Sequence, residues 1–451
     1  MASSRKPRPA DPPAALAAFL ASHRFGALRL CVGLSGGVDS VALLHALCAV
    51  RESAALAISA CHVHHGLNPD ADHWAAFCRR ICAELGVPLS IERVAVVASG
   101  KGVEAAAREA RLAALARQPA DWVVLGHHAD DQAETVLFRL LRGAGVRGGG
   151  GMRALERRAD GLCLMRPLLT VRRREIAAWA RAGGLAWIED GSNASTVFSR
   201  NFLRHEILPV MASRFPAAVE RLCATAAHLR ESEALLGQLA EADWRALGGG
   251  ERVRVLALAS LDPARRRNLV RWRTGCLGLP APEEARLEEA LRQLLAVGRD
   301  HPLRAPLGAS ELCHYRGWCW VQPAMAACPP RQPCEVGRTL DWAGGRVTLE
   351  TCTAGGIALA RLDGPLSMAP RPAGGRLRMG GMGRALARLA QAAGVPPWWR
   401  DVLPALYAGE SLVWVAELGA DERYAAADGE AALRPVWQPP PGVISRLPEA
   451  P

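Results

Sequence analysis

The stretch from Leu30 to Ser40, which reads LCVGLSGGVDS, constrains this chain more than any other. An apolar run over 27–34 ends in a tight Ser35-Gly36-Gly37 turn, and a helical pattern over Val38–Val50 follows at once. The predicted unit is strand, glycine turn, helix. Two adjacent glycines let the backbone bend sharply and leave its N–H groups uncovered by side chains. The helix begins there with unpaired N–H groups and the positive end of its dipole. Ser35 and Ser40 can donate hydrogen bonds, and Asp39 can hold a divalent ion. Together these features make a cradle for a polyphosphate. No Gly-Lys-Ser/Thr follows, so this is not a Walker A loop, and the third glycine of the dinucleotide fingerprint is missing. The plain alternative is a structural turn with no ligand.

Beyond the loop the pattern alternates. Strands are expected over 56–63, 88–97 and 122–126, with helices over 71–85 and 102–116 and another opening at Asp131. Asp130 is either the N-cap of that last helix or part of the chemistry. Such alternation argues a parallel, doubly wound sheet with ligands at the carboxyl ends of its strands. The polar clusters fall at such ends: His62, His64 and His65 after one strand, then His127, His128, Asp130, Asp131 and Glu134 after another. The histidines could equally be ordinary strand-exit residues. Glu104, Arg108 and Arg111 share one helix face and could form a solvated ion-pair ladder. A glycine-rich loop over 143–151, a short strand over 163–165 and a helix over 170–183 are expected next. A loop with Glu189, Asp190, Ser192 and Asn193, all good turn formers, leads to a helix from Ser199 to Met211 that carries Arg200 and Arg204.

A chain of 451 residues that is 50% hydrophobic can build two or three globular domains. The expected divisions are 1–215, 216–325 and 334–435. The expected fold class is α/β, with a doubly wound parallel-sheet N-terminal domain. A long helical connector over 216–247, a small and mostly helical unit over 251–320 and a small α+β C-terminal domain with one basic helix over 384–393 complete it. The net charge of +11 favours a polyanionic partner, nucleic acid above all. Lys6 and Lys101 are the only lysines, so the excess is arginine. Thirteen cysteines without a Cys-x-x-Cys pair leave zinc ribbons no obvious seat and read as free thiols of a reducing cytoplasm. The Arg265–Arg267 run reads more readily as a solvated face than as an RNA contact. Trp398 and Trp399 read either as core or as stacking platforms. No apolar run reaches the length of a membrane span.

The loop resembles the pyrophosphate loop of the ATP pyrophosphatase superfamily, whose members cleave ATP between the α and β phosphates and adenylate an oxygen of the substrate. Over Leu30 to about Pro209 the chain resembles one family within it, the tRNA(Ile)-lysidine synthetases. The resemblance rests on Ser35–Ser40, His62–Leu67, Glu104 with Arg108 and Arg111, Gly126–Thr135, Glu189–Asn193, and Arg200 with Asn201 and Arg204. Near the C-terminus Gly394–Asp401 also resembles the family's final domain, where Arg376, Arg378, Arg384 and Arg388 stand in place of expected lysines. The resemblance implies ATP and Mg²⁺ as cofactors, L-lysine as co-substrate and a precursor tRNA(Ile) with a CAU anticodon as partner. A homodimer is compatible with it. It implies that Ser35, Gly36, Gly37, Val38 and Ser40 cradle the β and γ phosphates and that Asp39 binds Mg²⁺. His62 and His64 would border the adenosine. Asp131 and Glu134 would hold the lysine ammonium or a metal, with His128 beside them. Arg108 and Arg200 would neutralise phosphate or the leaving AMP. A thiolase of the same superfamily and a catalytically inactive RNA-binding protein are the competing readings.

Overall fold

The structure is a computed structural model that describes residues 11–66, 68–95, 103–158, 160–189 and 199–447, with backbone only at 103–105. Glu104, Asp190, Ser192 and Asn193 therefore lie outside the described side chains. The chain divides into two units, Met1–Leu235 and Leu236–Pro451.

In the first unit the apolar run becomes β1 (Leu28–Gly33). Its Leu30 and Val32 face one side of the sheet and Cys31 the other, and all three are fully buried. A strand buried on both faces needs parallel neighbours covered by helices. The neighbours are β2 (Leu56–His64), β3 (Leu89–Arg93), β4 (Trp122–Val124), β5 (Leu155–Arg157) and β6 (Cys163–Met165). They lie in the order β3-β2-β1-β4-β6-β5. Val32 pairs with Ala60 on one side and Val124 on the other, and Val124 pairs with Met165, all in parallel. Only β5 runs antiparallel, as a hairpin with β6 that the sequence pattern did not reveal. The chain steps outward from β1 to β3, then returns to the far side of β1 with β4. That reversal places a topological switch point, where open α/β sheets bind ligands, at the carboxyl ends of β1 and β4.

The connecting helices are α1 (Pro12–Ser22), α2 (Val38–Val50), α3 (Ala71–Glu84), α4 (Val103–Ala116), α5 (Ala129–Leu141), α6 (Val146–Gly149) and α7 (Arg173–Ala182). Leu16, Leu43, Leu44, Ile81 and Ile176, from α1, α2, α3 and α7, cover the Leu30/Val32 face. Leu112 and Leu115 of α4 cover the Cys31 face with Val123 and Leu164. Helices on both faces make the sheet doubly wound, as expected. The glycine-rich segment is not an open loop: it folds into α6, and Arg139 Nη1 donates to the carbonyls of Gly148 (3.1 Å) and Gly151 (2.9 Å). The helix expected from Ser199 to Met211 is broken into α8 (Ser199–Phe202), a π-helical turn (Leu203–Ile207) and α9 (Leu208–Arg214). The long helix α10 (Ala218–Ala246) follows, and the boundary between the units falls within it.

The second unit adds to one expectation. Helix is the main regular structure of the 251–320 region, as expected, but a sheet that the pattern did not show joins it. Helices α11 (Val255–Ala259), α12 (Pro263–Cys276) and α13 (Glu284–Ala296) accompany an antiparallel sheet of β7 (Val253–Arg254), β8 (Leu303–Pro306), β9 (Ser310–Tyr315) and β10 (Trp318–Pro323). β9 is buried at every position, so it shows none of the polar–apolar alternation that marks a half-buried strand. The β9–β10 hairpin turns at Arg316 (φ 51°) and Gly317 (φ 76°), the two positive values a tight primed turn requires. Within the arginine run, Arg265 pairs with buried Asp243 and Arg267 with Glu288, so these cations are bound internally.

The remainder, from 332 to 438, is built of short antiparallel sheets around a second core. The basic helix is shorter than expected, Leu386–Ala392, and Arg384 lies instead in the hairpin strand Met382–Ala385. Trp399 is 1% exposed and Trp398 packs against the same core, which decides for packing over stacking at both. Trp342 is fully buried there and its Nε1–H donates to the Val402 carbonyl at 2.7 Å. Trp342→Ala is expected to destabilise this unit by about 3–5 kcal/mol, read as a lowered urea midpoint.

Candidate active site

The loop folds as a cradle because its own side chains brace it. Ser35 N–H donates to Ser40 Oγ (3.2 Å), the two hydroxyls lie 3.1 Å apart, and Ser40 Oγ donates to the Gly37 carbonyl at 3.0 Å. Gly36 has φ +89° and Gly37 is the N-cap of α2, whose first turn carries Val38, Asp39 and Ser40. A Cβ on Gly36 would fall 2.7 Å from Ile188 Cδ1, and Ile188 N–H donates to the Gly36 carbonyl at 2.9 Å. The segment after α7 thus closes against the loop and fixes its turn.

Gly126, just past β4, makes the tightest approach. A Cβ there would lie 2.8 Å from the Asp39 carbonyl oxygen and 3.1 Å from Ser40 N. The two strand exits at the switch point therefore touch through bare backbone. This brings His128 beside Asp39, with Nε2 3.7 Å from Oδ1. His128, not Asp130, is the N-cap of α5. Its Nδ1 accepts from Asp131 N–H (3.2 Å), and Asp131 Oδ2 accepts from His128 N–H (3.1 Å), a reciprocal capping box. Burial pulls the His128 pKa down, but Asp39, Asp131 and Asp130 outweigh it and hold it above the ordinary value. Asp130 is thus not the cap. It accepts a fork from Arg172 (Nη2–Oδ1 2.9 Å) and the Arg173 N–H (2.7 Å), which clamps the start of α7 to α5.

Asp131 and Glu134 do come together, and a cation already sits between them. Arg204 Nη2 is 2.6 Å from Asp131 Oδ1 and 2.9 Å from Glu134 Oε2, and its Nε donates to the same Glu134 oxygen at 3.0 Å. Arg200 Nε stands 4.0 Å from Glu134 Oε1. Glu134 is almost fully buried, and burial raises its pKa against the pull of Arg204 and Arg200. Arg108 lies near Arg111, Arg200 and Arg166; burial first and those charges next lower its pKa. His62 Nδ1 is 2.9 Å from the Leu34 carbonyl, so it braces the base of the loop, with Cys78 Sγ at 3.5 Å. Burial lowers its pKa, keeping the ring neutral. His64 is buried on the same face of β2, but its Nε2 reaches Asp72 on α3 at 3.3 Å, within the Arg93–Asp72 pair.

Three family models match the chain: a PP-loop domain over residues 13–211, a TilS substrate binding domain over 254–320 and a TilS substrate C-terminal domain over 366–437. The tRNA(Ile)-lysidine synthase of Azoarcus sp. (strain BH72) is 46% identical over 421 residues, which cover 92% of this chain and 92% of that one. The chain belongs to the tRNA(Ile)-lysidine synthase family. The enzyme of that name from Aromatoleum aromaticum is 45% identical over 91% of this chain and 97% of its own. That from Pseudomonas aeruginosa is 41% identical over 91% and 93%.

Within this tRNA(Ile)-lysidine synthase fold, two contributors to the site had no role from sequence reasoning. Arg204 was visible as the partner of Arg200 four residues on, hence on the same helical face, but the acids it meets lie on α5, far away in sequence. Gly126 carried only its place before His127-His128. Its role depends on a contact with α2 that no local pattern encodes.

Proposed function

We propose that this protein modifies the wobble cytidine of a precursor tRNA(Ile) with a CAU anticodon. ATP adenylates the carbonyl oxygen at ring carbon two, and the ε-amine of L-lysine then attacks that carbon, expelling AMP and leaving lysidine; the other ATP product is pyrophosphate. The observation that carries this reading is the Asp131–Glu134 pair, with Glu134 buried, which holds a cation one capping box away from the phosphate loop. A pair that holds a guanidinium there can also hold the ammonium of a substrate.

Ser35, Gly36, Gly37, Val38 and Ser40 hold the β and γ phosphates through backbone N–H groups and hydroxyls. Asp39 Oδ1 is buried without a hydrogen-bond partner, which suits a cation. Among the described residues no group of three or more His, Cys, Asp or Glu is arranged to hold a metal. One carboxylate plus phosphate oxygens is a normal magnesium site, so Asp39 fits Mg²⁺. When bound, the ion neutralises polyphosphate charge. His62 keeps the loop base in place beside the adenosine, with His64 behind it. Arg108 and Arg200 offset the charge of phosphate and departing AMP. Asp131 and Glu134 receive the lysine ammonium, and Glu134, its pKa raised, accepts the proton that frees the amine. His128 orients Asp131. The domains are read as 1–215 catalytic, 216–325 and 334–435 RNA-binding.

A thiolase is disfavoured by the state of the thiols. Cys31 and Cys78 are pushed up to about 12 and Cys82 to about 11 by burial, the opposite of a nucleophile's needs. No described helix is long and apolar enough to cross a membrane. The cytoplasm is where the precursor tRNA is met, and light scattering decides between a monomer and a homodimer. The test of function is pyrophosphate release with ATP, Mg²⁺ and precursor tRNA, followed by incorporation of labelled lysine. Release without incorporation at saturating lysine rules out the synthase reading. Asp39→Ala is expected to abolish release while RNA affinity, by anisotropy, stays within a factor of about 3, since the loss falls at the phosphate loop, on the metal ligand and the charge beside His128. Normal turnover in that variant would remove Asp39 from the metal site.

A further inference from the structure

Four buried side-chain nitrogens that lack any hydrogen-bond partner gather at one end of the first unit's sheet: His65 Nδ1, Arg111 Nε, His127 Nδ1 and Arg166 Nε. The topology explains the gathering. His65 follows β2, His127 follows β4 and Arg166 follows β6, so all three leave the carboxyl ends of parallel strands. Arg111 belongs to α4, which covers these strands through Leu112 and Leu115. The charge of Arg111 acts on both His65 and His127, and those of Arg166 and Arg108 act on His127. Arg200 and Arg166 act in turn on Arg108.

Arg166 shows that the cluster is built rather than accidental. It is 3% exposed, and two of its nitrogens are fixed: Nη1 donates to the Arg153 carbonyl and Nη2 pairs with Glu156 Oε2, each at 2.8 Å. Its Nε is left without an acceptor. Burial and the surrounding guanidinium groups hold His65 and His127 below the ordinary histidine value, so both rings are neutral at pH 7 and each has one N–H to donate. Cations gathered with unmade donors cost free energy. The arrangement becomes favourable when a multivalent anion supplies charge and acceptors, and planar guanidinium forks match phosphate oxygens.

We propose that these residues form a second phosphate subsite, separate from the Ser35–Ser40 loop, that takes the phosphodiester backbone of the substrate RNA. This rests on the reading that the chain acts on tRNA. The span favours a polymer. From the β2 exit to the β6 exit is three strand spacings, roughly 14 Å, too wide for one phosphate and suited to consecutive ones. The nucleotide's polyphosphate already has its own donors in the loop. The subsite would grip the strand on either side of the base presented to the Asp131–Glu134 pair.

The test measures affinity for an anticodon stem–loop RNA over a series of salt concentrations, without ATP, beside ATP affinity in a separate titration. Arg111→Gln is expected to weaken RNA binding about tenfold and to reduce the salt slope by about 1, with ATP affinity unchanged. Arg111→Lys keeps the charge and loses the fork, so it should restore the slope but not the full affinity. An unchanged RNA affinity and slope in a folded Arg111→Gln protein overturns the proposal, as does a loss confined to ATP. If Arg111→Gln melts early, half-buried His65→Ala serves, with a loss of RNA affinity at unchanged ATP affinity as the expected result and unchanged RNA affinity as the overturning one. A wild-type protein that binds RNA with the full slope yet forms no lysidine would sink the functional reading and leave the subsite standing.

Discussion

Gly126→Ala is expected to lower kcat/KM for tRNA-dependent pyrophosphate release about 100-fold in a protein that remains folded. The added methyl would sit 2.8 Å from the Asp39 carbonyl oxygen, 2.9 Å from its carbonyl carbon and 3.1 Å from Ser40 N. None of these atoms is the tip of a flexible side chain. They are the first turn of α2, and α2 is packed into the core by Val41, Leu43, Leu44 and Leu47. The clash therefore cannot be relieved by a rotamer change. Either the β4 exit lifts, carrying His128 away from Asp39, or the start of α2 shifts and tilts the phosphate cradle. Both outcomes misplace groups that must act together, and a displacement near 1 Å at a reacting centre can cost two orders of magnitude. The stability penalty should stay in the overpacking range of about 1–3 kcal/mol, because Gly126 lies past the carboxyl end of β4 rather than within the strand. Steady-state kinetics with a melting curve checks both parts. Wild-type kinetics in Gly126→Ala would show that the β1 and β4 exits are not mechanically coupled.

The same contact shows how far the sequence could be read. The strand–turn–helix unit was legible because its signals are local: an apolar run, adjacent glycines, a helical period. The parallel sheet was legible from alternation, and α2 begins and ends where the pattern places it. Legibility failed where structure is made by contacts distant in sequence. β9 hides its identity because both of its faces are buried. Asp130 looked like a cap because aspartate is a good one, yet Arg172, forty-two residues on, claims it and leaves the cap to His128. Arg166 carried no motif at all. It matters because β6 lies beside β4, an adjacency fixed only when the sheet closes.

Glu134→Gln should lose lysine transfer by a factor of about 10²–10⁴ while leaving adenylation, measured as pyrophosphate release in a single turnover, largely intact. The two halves can separate because His128 stands between them, its ring beside Asp39 of the phosphate loop and its backbone N–H donating to Asp131 of the acid pair. Glutamine keeps the volume and one acceptor oxygen, so Arg204 retains a partner there as well as Asp131 at 2.6 Å. What disappears is a buried carboxyl whose pKa is already raised, a property that a proton acceptor for an ammonium ion needs. Arg204 gives the contrast that makes the result specific. Its guanidinium lies between the carboxylates where the substrate ammonium is expected, on a π-helical turn, a geometry that often marks functional positions. Arg204→Met removes that occupant and leaves both acids. If the lysine amine and Arg204 compete for one place, the variant's KM for lysine should fall even as kcat drops. If Glu134 only anchors Arg204, the two variants should instead show the same kinetic defect, and the proton-accepting role assigned to Glu134 would have to be withdrawn.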